Sequence, residues 1–352
     1  MRSRSSHKAS ASFIASSFVC HPSKDSCWFR RSNRDRLNLQ MSNPLLDRYI
    51  AGEYRQVWRD LVDLGAAVRH ELYYQDATEV TAETMRRARH NVESIIRKLD
   101  ELGYQFSSGV EERLDVDRHL AIAQKALQEH NERLASEPRN AREAAMAQML
   151  ERVKLMQQQM SVRAPQIGEL KSRLAQRRRR FQNRSLENPD VFSPPNGKTS
   201  PELNRFEKAL RGPLPLSLRS WFELVGPVNL MGRHEVLNPQ DGDRAPDPLV
   251  IYPFKESAES DFGEDLEFEG ETIELALSPD DLTKSNISGG GPYAMTVPDP
   301  AADALFLNES RNTTFVEYLR RSFAWGGFPG WESSEARPQK EIDFLCEGLL
   351  PL

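Results

Sequence analysis

Two features of the sequence contain residue types that could carry out chemistry: a glycine-rich run and a pair of adjacent carboxylates. The run 288–292, Ser-Gly-Gly-Gly-Pro, could bring backbone N–H groups to a phosphate, as glycine loops do. It leads into a β-rich segment without a following helix N-terminus, which favours a turn with positive φ. Asp280 and Asp281 could be paired catalytic carboxylates, but their surroundings, 278–282, are typical of the cap and first turn of a short helix.

Sequence signatures of the common catalytic and metal sites are absent. There is no Gly-x-Ser-x-Gly elbow, Walker loop, dinucleotide fingerprint or His-Glu-x-x-His helix. The histidines have no ligand spacing; they are His7, His21, His70, His90, His119, His130 and His234. The cysteines form neither a disulfide framework nor a Cys-x-x-Cys pair; they are Cys20, Cys27 and Cys346. We therefore expect a cytoplasmic protein without catalytic residues, metal or cofactor.

An acidic stretch is the most informative functional feature of the sequence. Between residues 256 and 271, eight carboxylates are interleaved with Phe262, Leu266 and Phe268. One interpretation is a solvated loop between strands. The other is a docking surface for a basic protein partner such as a nuclease toxin, in which aromatic residues anchor and carboxylates speed the encounter. The residues predicted to bind this partner are Glu264, Asp265, Glu267, Phe268 and Glu269.

The charge is unevenly distributed along the 352 residues, whose formal net charge is -5. Residues 1–40 are basic, and we interpret them as a disordered extension ahead of Met41, although they also resemble a transit or signal peptide. The rest of the chain is correspondingly acidic, which disfavours nucleic-acid binding because phosphates need Lys and Arg. No run of about eighteen apolar residues is present, so we expect no membrane span.

Residues 41–182 have the patterning of a helical region. Asn43 and Pro44 can begin an amphipathic helix that the apolar spacing extends to Leu72. A second helix is predicted from about Ala82 to Leu102, with Gly103 as its stop. The two helices should pack as an antiparallel hairpin.

A longer helical stretch follows, with leucines at heptad spacing between 120 and 134 and apolar residues, many of them methionines, in steps of three and four between 146 and 174. This seam predicts a coiled coil or bundle, interrupted by Pro138 and Pro165, through which copies of the chain could associate. The basic run 177–180 is interpreted as the solvated end of a helix, where positive charge is favourable, rather than as a nucleic-acid patch.

The helical spacing of apolar residues ends before 183, and residues 183–200 are rich in Asn, Ser and Pro. We interpret this segment as a linker. Residues 201–352 then predict an α+β domain with a mostly antiparallel sheet flanked by helices. Two short helices are separated at Gly212-Pro213, and a capped helix follows Thr313-Thr314. The β-rich runs between them are 249–252, 272–277, 293–297 and 304–307. The aromatic and glycine-rich run 325–331 is expected to close the core, or else to form an exposed partner site.

Several short motifs of this domain occur in a fixed order. The first helices read Phe-Glu-Lys-Ala-Leu at 206–210, Leu-Pro at 214–215 and Leu-Arg-Ser-Trp-Phe at 218–222. Later come Leu-Ser-Pro-Asp-Asp-Leu at 277–282, a glycine-rich approach to Tyr293, and the helix at 314–321. Over residues 201–335 these motifs resemble the SUKH superfamily of fungal cell-wall-assembly regulators and bacterial immunity proteins. The family's usual Asn-Gly after the second helix is replaced here by 225–227, Val-Gly-Pro.

The resemblance implies a protein-binding fold without catalytic residues. The function predicted from the sequence is accordingly that of a non-catalytic protein-binding protein acting through the α+β domain. One alternative is a scaffold whose N-terminal helices recognise the partner. The other is an uncharacterised hydrolase with its site at the glycine loop.

Overall fold

The computed structural model describes residues 45–107, 181–238, 246–254, 272–285 and 290–352, with isolated positions between 154 and 180. Pro44–Leu352 form one compact unit. Several predictions lie outside the described residues, among them the cap at Asn43, the extension 1–40, and most of the coiled coil between 120 and 174. Arg179 and Arg180 are described as helical and exposed, as expected for a solvated helix end.

The first predicted helix is divided into three parts, which corrects the expectation of one continuous helix to Leu72. These are α1 (Leu45–Ile50), α2 (Tyr54–Leu64) and a 3-10 turn (Gly65–Arg69). The chain turns at Gly52 and Gly65, whose φ angles of 106° and 51° are not helical. Because of these turns, two residues assigned to the buried face are exposed, Ile50 by 53% and Leu72 by 64%.

The second helix, α3 (Glu71–Glu101), begins eleven residues earlier than predicted. The His70 side chain caps it by accepting a hydrogen bond from the backbone N–H of Leu72. Its end is as predicted: Gly103 has a φ of 74° just beyond the last helical turn. The buried face of α3 comprises Val80, Met85, Ala88, Val92, Ile95, Ile96 and Leu99.

The helices α1 and α2 both pack on α3. Leu46 N–H donates to the Asp76 carboxylate over 3.1 Å, and the Tyr49 ring lies 5.0 Å from the Arg87 guanidinium. The α2 residue Trp58 donates its buried indole N–H to Thr84 over 3.0 Å. Tyr54, which precedes Trp58 in α2, faces Arg87, which follows Thr84 in α3, with 4.9 Å between ring centroid and guanidinium. The two helices therefore run antiparallel, as predicted.

The remaining residues form a mixed α+β arrangement of short elements. The helices are α4 (Thr199–Leu210), α5 (Leu216–Leu224), α6 (Asp281–Lys284), α7 (Phe315–Ala324) and α8 (Gln339–Cys346). The strands are β1 (Gln105–Phe106), β2 (Val228–Asn229), β3 (Gly232–Arg233), β4 (Val250–Ile251), β5 (Ile273–Ser278) and β6 (Tyr293–Val297). The pairs β1–β3, β2–β4 and β5–β6 are all antiparallel, but each is a separate two-stranded sheet, which corrects the expectation of one sheet. The strands β1, β2 and β3 were not among the predicted β-rich runs.

The predicted elements of this part agree with the structure in most positions. The break between α4 and α5 lies at Gly212-Pro213, and Gly226, with a φ of 89°, follows α5. The run 304–307 contributes only two isolated bridges, from Leu305 and Leu307. Thr314 is the N-cap of α7, but its side chain makes no cap hydrogen bond. Instead, the buried Asp303 carboxylate caps the helix by accepting a hydrogen bond from the Val316 N–H over 3.1 Å.

The residues interpreted as a linker, 183–200, make specific contacts. Ser185 donates its backbone N–H to Asp100, at the end of α3, over 2.9 Å. Val191 and Phe192 are buried, and Phe192 forms an antiparallel bridge with Val228. The sequence pattern did not anticipate these contacts, because Asn, Ser and Pro are also compatible with a packed irregular segment.

One hydrophobic core contains residues from both predicted regions. Helix α3 packs against α5, and Arg89 near its middle donates to the carbonyl of Leu224. The run 325–331 closes this core, as expected, with Phe328 fully buried. A Cβ at Gly327 would lie 2.6 Å from Leu230 Cδ1 and 3.5 Å from Ile95 Cγ2, so this glycine is required for the close approach.

Candidate functional site

The acidic stretch joins two neighbouring strands. Its five predicted partner-binding residues, Glu264, Asp265, Glu267, Phe268 and Glu269, lie outside the described residues. Its flanks are described, up to Phe254 on one side and from Thr272 on the other. The Tyr252 N–H donates to the Leu277 carbonyl over 2.8 Å, which places β4 beside β5. The stretch therefore begins shortly after β4 and ends shortly before β5, and these two strands lie side by side.

Phe254 anchors the first flank of the acidic stretch. Its ring lies edge-on to Phe206 of α4 and Phe222 of α5, with centroid distances of 5.2 Å in both pairs. Both partner rings are buried. Edge-to-face pairs of this kind add to the stabilisation from apolar burial, so the departure point of the stretch is fixed by packing.

A buried ion pair holds the opposite end of β4 and β5. Lys284 Nζ lies 2.6 Å from Asp247 Oδ1, and the Lys284 side chain is fully buried. Asp247 precedes β4 and Lys284 follows β5, so this pair together with the Tyr252–Leu277 bond makes the two strands antiparallel. The acidic stretch consequently leaves from the end of the strands remote from this ion pair.

Two tyrosines enclose the ammonium group of Lys284. Its Nζ lies 4.6 Å from the Tyr293 ring centroid and 6.0 Å from that of Tyr318. Burial raises the pKa of both tyrosines well above their ordinary values, and the Asp247 carboxylate raises each further. Both phenols therefore stay neutral at physiological pH.

A second pair, Glu309 and Arg321, lies close to the first. Its N–O distance is 2.7 Å, and the Glu309 side chain has no solvent-exposed area. Burial opposes ionisation of Glu309, but the hydrogen bonds from Arg321 and from the Arg311 N–H, together with the Arg321 charge, outweigh it and lower the pKa of this carboxyl. Both charges are thus paired inside the protein, since Arg321 Nε also lies 3.2 Å from a Glu332 carboxylate oxygen, which is the pattern of a structural network.

The glycine-rich run lies against a carboxylate. A Cβ at Gly290 would lie 2.3 Å from the Asp280 side chain, so no larger residue fits there. The predicted positive φ is wrong for Gly290 and Gly291, because neither has one; close approach explains Gly290 instead. Asp280 caps α6 by accepting from the Thr283 N–H over 3.0 Å, as the sequence indicated. A carboxylate in this position repels phosphate.

The described residues contain no group of three or more His, Cys, Asp or Glu side chains suited to a metal ion. His70 caps α3, and His234 contacts the carbonyl of Leu102 over 3.2 Å, so both have structural contacts. Among the described helices, none is both long and apolar enough to cross a membrane.

A surface cleft of about 560 Å³ lies between the start of α2, the end of α7 and residues 349–352. Cys346 lines it and donates to the carbonyls of Phe323 and Ala324 at 3.5 Å and 3.3 Å. Burial raises the pKa of the Cys346 thiol, which makes it a poor nucleophile. Nothing in the sequence pattern pointed to this cleft, because its walls come from three distant segments.

Comparison with known proteins returned no match among family models, curated proteins or solved structures.

Proposed function

We propose that this chain is a non-catalytic, cytoplasmic protein-binding protein whose acidic stretch binds a basic protein partner. The observation that carries the proposal is the anchoring of both flanks of the stretch on adjacent antiparallel strands. The segment 256–271, which contains eight carboxylates, is thereby connected at both ends to the same end of β4 and β5. Carboxylates concentrated in this way accelerate encounter with a cationic surface, and Phe262, Leu266 and Phe268 would supply apolar anchors.

The order of elements in 201–335 supports the resemblance to the SUKH superfamily that underlies this proposal. Two helices joined through Leu214-Pro215 precede antiparallel strands, and α7 follows them. The resemblance implies a protein-binding fold without catalytic residues. The wider acidity of the chain after residue 40 favours the same class of partner.

The alternative of recognition by the N-terminal helices receives less support from the described residues. The apolar face of α3 is already covered by α5, α8 and the chain after α8. Helix α3 therefore acts as part of the core. The hydrolase alternative is disfavoured because Asp280 lies against Gly290 and because Lys284 is already paired with Asp247.

The test compares the full chain with two charge-reversed variants of equal net charge. The first changes three residues of the acidic stretch: Glu264→Lys, Asp265→Lys and Glu267→Lys. The matched control changes three exposed carboxylates on the helices: Asp63→Lys, Glu79→Lys and Glu101→Lys. Each is immobilised, and proteins retained from native lysate are quantified by mass spectrometry at low and physiological salt.

We expect a basic protein that the native chain and the control retain and the first variant loses. Its retention should weaken with salt, since exposed charges are screened within about 8–10 Å. Equal retention of every captured protein by the two variants would show that the acidic stretch has no specific role.

A further inference from the structure

The exposed charged side chains of helix α4 and its two caps are all basic. Arg205, Lys208 and Arg211 follow one another at three-residue spacing, which places them on one side of the helix. Lys198, the N-cap, lies seven residues before Arg205 and therefore on the same side. All four are exposed, and none forms an ion pair with a described residue. We call these four residues the basic face of α4.

The stability of α4 does not account for the whole of this face. A cation at the N-cap opposes the helix dipole, and the Lys198 side chain makes no capping hydrogen bond. Like charges three residues apart repel each other, as Arg205 and Lys208 do. Only Lys208 and Arg211, at the C-terminal end, are placed favourably with respect to the dipole. An anionic ligand on this face would relieve the repulsion.

Both flanks of the acidic stretch lie against α4. On the first flank, the Phe254 ring packs edge-on to Phe206 of α4, with 5.2 Å between centroids. On the second flank, the first residue of β5 pairs with the last residue of β6, and Pro298 follows β6 directly. Pro298 lies against Gly212, just after α4, where an added Cβ would be 2.7 Å from the Pro298 Cβ. The acidic stretch therefore begins beside Phe206 and ends close to the C-terminal end of α4.

The acidic stretch is long enough to reach the basic face of α4. A helix with its side chains is about 10–12 Å across, and an extended residue spans about 3.3–3.6 Å, so roughly four residues beyond Phe254 reach the solvent side. Eight carboxylates follow between residues 256 and 271. Because both flanks lie beside α4, these carboxylates have an effective concentration in the millimolar range at the basic face.

We propose that the basic face of α4 is a docking surface for the acidic stretch of the same chain. The carboxylates pair with the four cations, and the contact is electrostatic. Its regulatory consequence rests on the proposed function: a basic protein partner must compete with α4 for the same carboxylates. The competition lowers the apparent affinity for every cationic protein, so only a strongly basic partner displaces α4 from the stretch.

Zero-length cross-linking of the full-length protein tests the docking directly. A water-soluble carbodiimide joins a lysine to a carboxylate where the two are in contact, and an equal mixture of isotope-labelled and unlabelled protein separates links within a chain from links between chains. We expect links from Lys198 and Lys208 to carboxylates of 256–271 within one chain. They should be largely lost in about 1 M salt, where the screening length is about 3 Å. Lys340, exposed on α8, is the control.

The docking is overturned if links from Lys198 and Lys208 to this segment are absent or no more frequent than those from Lys340. Links that join labelled to unlabelled chains would assign the basic face to a second copy, and they would also overturn docking within one chain. Neither result depends on a basic partner, so the cross-links test the docking separately from the proposed function.

The competition is measured by the anisotropy of fluorescein-labelled octalysine at low salt. The first variant neutralises three residues of the basic face: Arg205→Gln, Lys208→Gln and Arg211→Gln. The matched control has the same net charge and neutralises three exposed cations elsewhere: Arg59→Gln, Arg337→Gln and Lys340→Gln. If about nine-tenths of the native chain is docked, the first variant should bind octalysine roughly tenfold more tightly than the native chain.

The control should gain much less, and circular dichroism establishes that each protein is folded. Equal affinities of the two variants would overturn the competition. If neither the native chain nor either variant binds octalysine, the proposed function fails instead, and the cross-links still decide whether the acidic stretch docks on α4.

Discussion

Replacing Lys284 by Met tests whether the Asp247–Lys284 pair is a structural element of the core. The ammonium and carboxylate lie 2.6 Å apart, and at an effective dielectric of 20 this corresponds to a Coulomb attraction of about 6 kcal/mol. Desolvation of both charges offsets much of it. Lys284→Met leaves the Asp247 carboxylate, 9% exposed, without its partner. We expect the free energy of unfolding to fall by about 3–5 kcal/mol.

The assay is equilibrium denaturation in urea of the native protein, Lys284→Met, and the double variant that adds Asp247→Asn. Asparagine tolerates the left-handed backbone at position 247, where φ is 46°, so the second change removes charge without adding strain. The double variant should recover most of the loss. Lys340→Met, at an exposed position, is the control and should change stability by less than about 0.5 kcal/mol. A loss below about 1 kcal/mol for Lys284→Met would refute the reasoning.

Three further changes test other parts of the core by the same unfolding assay. Gly327→Ala should cost about 2–4 kcal/mol, since φ is 93° and the new Cβ meets Leu230, whereas Gly197→Ala, in open space, should be nearly neutral. Thr84→Val should cost about 1–3 kcal/mol, because the buried indole N–H of Trp58 loses its acceptor. Burial raises the pKa of Asp303 from 3.8 to about 6, so the native state holds this proton more tightly than the unfolded state. Its contribution to stability is thus greatest below pH 4 and falls by about 3 kcal/mol as pH rises to 6, a dependence that Asp303→Asn should remove.

The sequence predicted correctly those elements that are determined by residues close together in the chain. The apolar spacing and Gly103 indicated the body and end of α3, and the cap at Asp280 was evident from its neighbours. The same spacing concealed the turns at Gly52 and Gly65, because apolar residues continue in helical register across both. Periodicity reports which residues face a core, and it does not report whether the helix is continuous.

Contacts between distant segments were not predictable in this way. Asn91 and Leu350 are 259 residues apart, and neither residue type is unusual in its own context. The two hydrogen bonds between the Asn91 side chain and the Leu350 main chain, and the cleft lined by residues 349–352, therefore emerged only from the fold. The acidic stretch is the opposite case. Its composition alone identified it in the sequence, and the structure adds the position of its flanks.

The placement of α3 has a consequence for synthesis of the chain on the ribosome. Its apolar face is completed by α5, α8 and the residues after α8, so part of it stays uncovered until residue 350 has been added. At about 5–20 residues per second, the 259 residues between Asn91 and Leu350 take roughly 13–50 s to add. During that interval a 31-residue amphipathic helix lacks part of its core, which makes the nascent chain a substrate for chaperones that bind exposed apolar surface.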